Sequence, residues 1–147
     1  MDERRASAPA VGGSSLLVIF AVLCLTVFAL AAALCVQVFV LSDQTSRRNE
    51  ARDRAVLEAQ NAAEELKSVH GDFQQMTELY GGIWNGQLWG RSYDADWARD
   101  GDDYHVLVTP ADSGDALLGA AEVTVYTAEG DLLFTLPVAW QEVADHG

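Results

Sequence analysis

Hydrophobic and polar positions divide the chain sharply. From Leu16 to Leu41 there are 26 residues without a charge, interrupted only by Thr26 and Gln37. A bilayer core takes about 20 helical residues, so this run predicts a transmembrane helix over 14–41, with length to spare for tilt. A secretory signal has an apolar region of only about 7–15 residues. Ala31-Ala32-Ala33 fits small-x-small cleavage, yet Leu34 to Leu41 continue as apolar beyond it, which predicts an anchor that stays. Leu34 before Cys35 and Leu23 before Cys24 are too large for a lipoprotein signal.

Beyond the run the period changes. Ala55, Ala59, Ala62, Leu66, Val69, Phe73, Met76 and Tyr80 recur at spacings of 4, 3, 4, 3, 4, 3 and 4. That is a heptad seam, and it predicts an amphipathic stalk helix over 42–80 that continues the apolar helix. Glu58, Glu64, Glu65 and Lys67 lie around the seam as charges on good helix formers, and Gly71 interrupts its lower half. The seam, with Ala59, Ala62, Leu66, Val69, Phe73 and Met76 as its packing residues, serves either the chain's own C-terminal sheet or a partner helix. Gly81-Gly82 predicts the helix end.

Residues 81–147 read as a small, acidic, β-rich domain. From Ile83 to Asp103 the period is lost among tryptophans, glycines and aspartates, and Trp84, Trp89 and Trp97 are expected in the core. Tyr104 to Thr109 is a short β-rich run stopped by Pro110. Glu122 to Thr127 alternates, with Val123 and Val125 on one face, then turns at Glu129-Gly130. Leu132, Phe134, Leu136, Val138 and Trp140 alternate after the turn, and Pro137 marks that strand as an edge or bulge. One face of this sheet is strongly apolar, and the stalk helix is the element long enough to cover it. The predicted class is α+β: a long transmembrane helix continuing into an amphipathic helix, packed on a small antiparallel sheet.

Charge changes the picture of partners. Asp2, Glu3, Arg4 and Arg5 cancel, so the whole net charge of −13 lies on residues 43–147. A nucleic-acid role needs a basic face, and this domain has the opposite sign. Cys24 and Cys35 both lie in the apolar run, so the domain has neither a disulfide nor a Cys-based metal site. On a helix the two thiols share a face about 16 Å apart, beyond disulfide reach within one chain. His70, His105 and His146 have no metal-ligand spacing, and no serine elbow, phosphate loop or HExxH occurs. No enzyme and no cofactor is expected. Asp94, Asp96, Asp100 and Asp102 are the one weak calcium candidate. They do not form an EF-hand: with Gly101 as its glycine, Ala98 falls at a ligand position and Leu107 where the glutamate belongs.

A short tail with Arg4-Arg5, then Gly12-Gly13, a long apolar helix, an amphipathic continuation and a small β domain together resemble type IV pilins and pseudopilins. RRASAPAVGGSSLLVIFAVLCLTVFAL looks more closely like the start of small single-span membrane proteins of anaerobic Gram-positive bacteria that accompany pilus or secretion machinery, with a weaker echo in YHVLVTP and AEVTVYTAEGDLLFTLPVAWQE. The resemblance implies residues 1–13 as a tail or leader, cut by a prepilin peptidase between Gly13 and Ser14. It implies partners in the membrane and among pilus-assembly proteins, reached by helix packing, and a C-terminal domain outside the cytoplasm. The family's glutamate at the fifth position after the cut is Val18 here, which points to a minor, initiating or accessory subunit. Basic residues flank both ends of the span, and those that follow it (Arg47, Arg48, Arg52, Arg54) favour the reverse orientation by the positive-inside rule. The alternatives are an uncleaved bitopic protein whose seam pairs with a partner coiled coil, and a membrane-tethered calcium or ligand binder.

Overall fold

The computed structural model describes residues 9–142; positions 1–8 of the predicted tail and 143–147 of the acidic domain lie outside it. Helix α1 runs Pro9–Ser68 and α2 Phe73–Tyr80. Five strands follow: β1 Ile83–Trp84, β2 Trp89–Tyr93, β3 Tyr104–Ala111, β4 Leu118–Thr127 and β5 Leu132–Gln141. The chain forms two compact units that meet at Arg47 and Arg48.

In the first unit the apolar side chains of α1 are bare. Its large hydrophobics are 47–75% exposed, and the helix is long and apolar enough to cross a membrane. Thr26 Oγ1 donates to the Val22 carbonyl at 2.8 Å, so this hydroxyl finds an acceptor within the helix and needs no water.

The second unit is helix on sheet. The strands pair in sequence order, each antiparallel to the next. Period-2 geometry sends Trp89 and Tyr93, Val106 and Val108, and Val123 and Val125 to one face, where all are at most 2% exposed. Ala55, Ala59, Ala62 and Leu66 of α1 are fully buried in the same core. Alanines at this contact let the helix axis lie close to the sheet.

The predicted continuous helix over 42–80 is corrected. α1 ends at Ser68, and the chain turns through residues 69–72 before α2 begins. Gly71 N donates to the Leu66 carbonyl and His70 N to the Lys67 carbonyl, each at 3.0 Å, with His70 at φ 52°. This is a Schellman-type end, with His70 in the left-handed position usually given to glycine. Asp72 then caps α2 by accepting from Gln75 N at 2.9 Å. Gly71 is required twice: its φ is 81°, and a Cβ there would lie 2.3 Å from the Trp140 ring. The heptad survives the break, because Val69, Phe73 and Met76 stay buried although they no longer share a helix with Leu66. The predicted end of the helical region holds, α2 stopping before Gly81 at φ 80°.

Three strand expectations also change. The aperiodic stretch from Ile83 contains β1 and β2. β3 continues through Pro110, which pairs with Ala121; β2 begins at Trp89 opposite Val108, so no strand on that side asks Pro110 for an N–H. The alternation of β5 slips once: Val125 faces Phe134 and Tyr126 faces Leu132, leaving Leu133 as the extra residue of a bulge. Leu132 is therefore 56% exposed while Leu133 packs against the core. β5 is an edge strand, as Pro137 predicts.

Candidate functional site

The seam residues Ala59, Ala62, Leu66, Val69, Phe73 and Met76 are all at most 9% exposed, within one core that includes the inner face of the sheet. Phe73 stacks on Trp84 with ring centroids 4.5 Å apart. Trp89 is fully buried, and Trp84 and Trp97 pack against the same core, as expected for the three tryptophans.

Among these apolar contacts lies an ionic group that sequence reasoning missed. Arg91 points inward from β2, with its side chain only 4% exposed. Its Nη1 donates to Glu65 Oε2 at 3.0 Å and Oε1 at 3.3 Å, and its Nε donates to Tyr93 Oη at 2.6 Å. Tyr93 Oη in turn donates to Glu58 Oε2 at 2.7 Å, and the Arg91 guanidinium approaches the same oxygen at 3.9 Å. The guanidinium carbon lies 5.0 Å from the Trp89 ring centroid and 5.6 Å from that of Tyr93. Burial, reinforced by the bond to Glu58, pushes the Tyr93 hydroxyl well above the ordinary tyrosine range. Every charge in the group has a partner, and together they join α1 to β2 at a defined register. Glu58 and Glu65, read from the sequence only as charges around the seam, are just 20% and 16% exposed at their side chains. The available signal was their separation of seven residues beside the seam, matched by a period-2 Trp-x-Arg-x-Tyr in β2.

The residues of the weak calcium candidate are placed as follows. Asp94 Oδ1 accepts from Asp96 N at 2.9 Å and Ala98 N at 2.8 Å, folding the start of the β2–β3 loop. Trp97 stacks on Tyr104 at 4.1 Å, and Asp103 N donates to the Tyr93 carbonyl at 2.9 Å. Asp102, 98% exposed, lies 3.5 Å from His105 Nε2. Asp94, Asp96, Asp100 and Asp102 do not converge, and among the described residues no group of three or more His, Cys, Asp or Glu is placed to hold a metal ion.

Gly13 and Ser14, the expected processing positions, lie within α1 and are exposed. Cys24 and Cys35 are free thiols on the exposed apolar helix. Among the described residues of the second unit, two surface clefts stand out. One, of about 460 Å³, opens beside β1 and the Arg99 segment. The other, of about 340 Å³, lies between Phe73, Trp140 and the β3–β4 loop. Trp140 Nε1 is buried without a hydrogen-bond acceptor, its ring resting where side chains at Gly71 and Gly119 would otherwise stand. Comparison with known proteins gives no match: no family model fits the chain, and no curated protein or solved structure matches it.

Proposed function

We propose that the protein is a non-catalytic, membrane-anchored structural subunit of pilin-like or pseudopilin-like type, accessory to a pilus or secretion assembly, with its acidic domain outside the cytoplasm. The observation that carries this reading is α1 itself. One helix, Pro9–Ser68, supplies both a bare apolar segment of membrane-spanning length and the helix on which an antiparallel sheet is built. Division of one helix between membrane and domain suits a subunit that displays a rigid domain from a packed apolar stem. Val18 in place of the family's glutamate fits an accessory position, where no buried amine of a neighbouring subunit needs that carboxylate.

The competing reading, a bitopic protein whose seam pairs with a partner coiled coil, loses its surface. Leu66 and Met76 are fully buried within the chain's own core, so a partner helix would have to displace the sheet.

Intact-mass measurement of the chain purified from a host with a prepilin peptidase tests the proposal. The expected mass begins at Ser14. A chain still beginning at Met1 weighs against the pilin-like reading. A topology reporter fused after residue 142 is expected to be active outside the cytoplasm; activity on the cytoplasmic side would overturn the orientation, as the arginines after the span would favour.

A further inference from the structure

The face of the sheet turned away from α1 carries the cleft of about 460 Å³, a size within the range of small-molecule sites. Its floor is two cross-strand pairs, Gly90 with Leu107 and Ser92 with His105. Gly90 keeps that floor open: a Cβ there would lie 3.2 Å from Leu107 Cδ2 and 3.8 Å from Leu88 Cδ1. The wall is Arg99, held by a closely tied loop. Tyr93 and Arg99 form a β-bridge, and Asp100 N donates to the Ser92 carbonyl at 3.1 Å. Trp97 and Asp100, two residues before Arg99 and one after it, take φ of 62° and 70°, a costly conformation that the surrounding bonds and the Trp97–Tyr104 stack enforce.

Among the described residues no carboxylate pairs with Arg99, nor with Arg48, Arg52 or Arg54 of α1; of these four arginines Arg99 alone lines the cleft. Arg99 is exposed, and its Nη1 donates to the Tyr80 carbonyl at 2.8 Å, which orients the guanidinium and leaves its other N–H groups free of acceptors among the described residues. A guanidinium beside the apolar half of the floor, Gly90 and Leu107 with Leu88 next to them, suits a carboxylate joined to a short hydrocarbon. Asp100 on the same wall and the net charge of −13 disfavour a dianion such as phosphate.

We propose that this cleft binds a small monocarboxylic acid with a short branched apolar tail, its carboxylate on Arg99 with the Ser92 hydroxyl as a second donor, and its tail over Leu107 and Leu88. All the residues involved lie between 80 and 107, so the site is independent of the role assigned to the apolar segment of α1. The probe is isovalerate, titrated calorimetrically into the full chain in nanodiscs of zwitterionic lipid, with isovaleramide and inorganic phosphate as comparisons. Isovalerate is expected to bind saturably in the millimolar range, and isovaleramide and phosphate at least ~10-fold more weakly, since neither presents one carboxylate to the guanidinium. Arg99→Met is expected to weaken isovalerate by at least ~10-fold. Because Arg99→Met also removes the cap on Tyr80, Gly90→Val is the second variant: it fills the floor, keeps every charge and is expected to abolish binding while the thermal unfolding midpoint stays near the parent's. The inference is overturned by an absence of saturable binding, by equal affinity for isovalerate and its amide, or by a folded Gly90→Val chain that binds like the parent.

Discussion

Replacing Arg91 by methionine tests the ionic group at the centre of the domain. The substitution keeps an unbranched apolar stem against Trp89 but removes the cation that faces Glu65 at 3.0 Å and Glu58 at 3.9 Å. Breaking a buried pair on one side costs about 3–5 kcal/mol, because the surviving charge stays desolvated. Here the glutamate side chains keep 16–20% exposure, so water recovers part of that loss and the lower end, about 3 kcal/mol, is expected. For a domain of roughly 100 residues this is a fall in Tm of about 12–24 °C. Urea unfolding of the full chain in detergent, followed by tryptophan fluorescence, reads the change. Trp89 is a suitable reporter because its ring touches the guanidinium. Adding Glu65→Met to Arg91→Met removes the nearer of the two stranded carboxylates, while Glu58 keeps its bond from Tyr93, and should restore at least half of the lost stability. An Arg91→Met chain within about 0.5 kcal/mol of the parent, or a double variant no more stable than the single one, would refute the reasoning.

Further outcomes follow from individual contacts. Leu66→Ala should cost about 2–5 kcal/mol, since Leu66 is fully buried in the helix–sheet core; urea unfolding with an effect below about 1 kcal/mol would mean that the seam serves something else. Gly119→Ala places a Cβ 2.2 Å from the Trp140 ring and should destabilise by about 1–3 kcal/mol, a loss that Trp140→Leu in the same chain should relieve. Stability should fall as pH rises above about 10, where Tyr93 ionises in the unfolded chain but its raised folded-state pKa keeps the proton on in the native one. The contribution is fully present below that pH, and Tyr93→Phe should remove this part of the alkaline slope in a pH series of denaturation curves. Thermal melts of the full chain should be the same with and without millimolar calcium, given that Asp94 spends its carboxylate on backbone N–H groups.

The long-range architecture was legible because it rests on strong periodic signals. Twenty-six uncharged residues, a heptad of small and apolar side chains, and the alternating Val123, Val125 and Phe134, Leu136, Val138 mark the apolar helix, the amphipathic helix and the hairpin almost unaided. The misses are local competitions between signals. A heptad reads as one helix whether or not the backbone breaks, and here the break at residues 69–72 preserves the seam because Val69, Phe73 and Met76 still reach the core. Gly71 was visible as an interruption, but its reason, the Trp140 ring more than sixty residues later, is tertiary. β2 was hidden because Trp-Gly-Arg-Ser-Tyr carries a charge at an inward position, and a buried arginine is recognisable only once its carboxylates are known. Glu58 and Glu65 belong to the same blind spot, since a glutamate beside an apolar stripe ordinarily faces water. The Leu133 bulge lies below the resolution of alternation, which counts positions and cannot see an inserted one.

Hydrogen exchange of the full chain in lipid nanodiscs, resolved by peptide, tests the division of α1 most directly. Strong protection is predicted over 16–41, where lipid excludes water, and again over 55–66, where the sheet covers the seam, with faster exchange over the exposed turns from 43 to 53. Exchange over 16–41 as fast as over 43–53 would contradict the membrane anchor, and rapid exchange over 55–66 would contradict a domain built on its own stem.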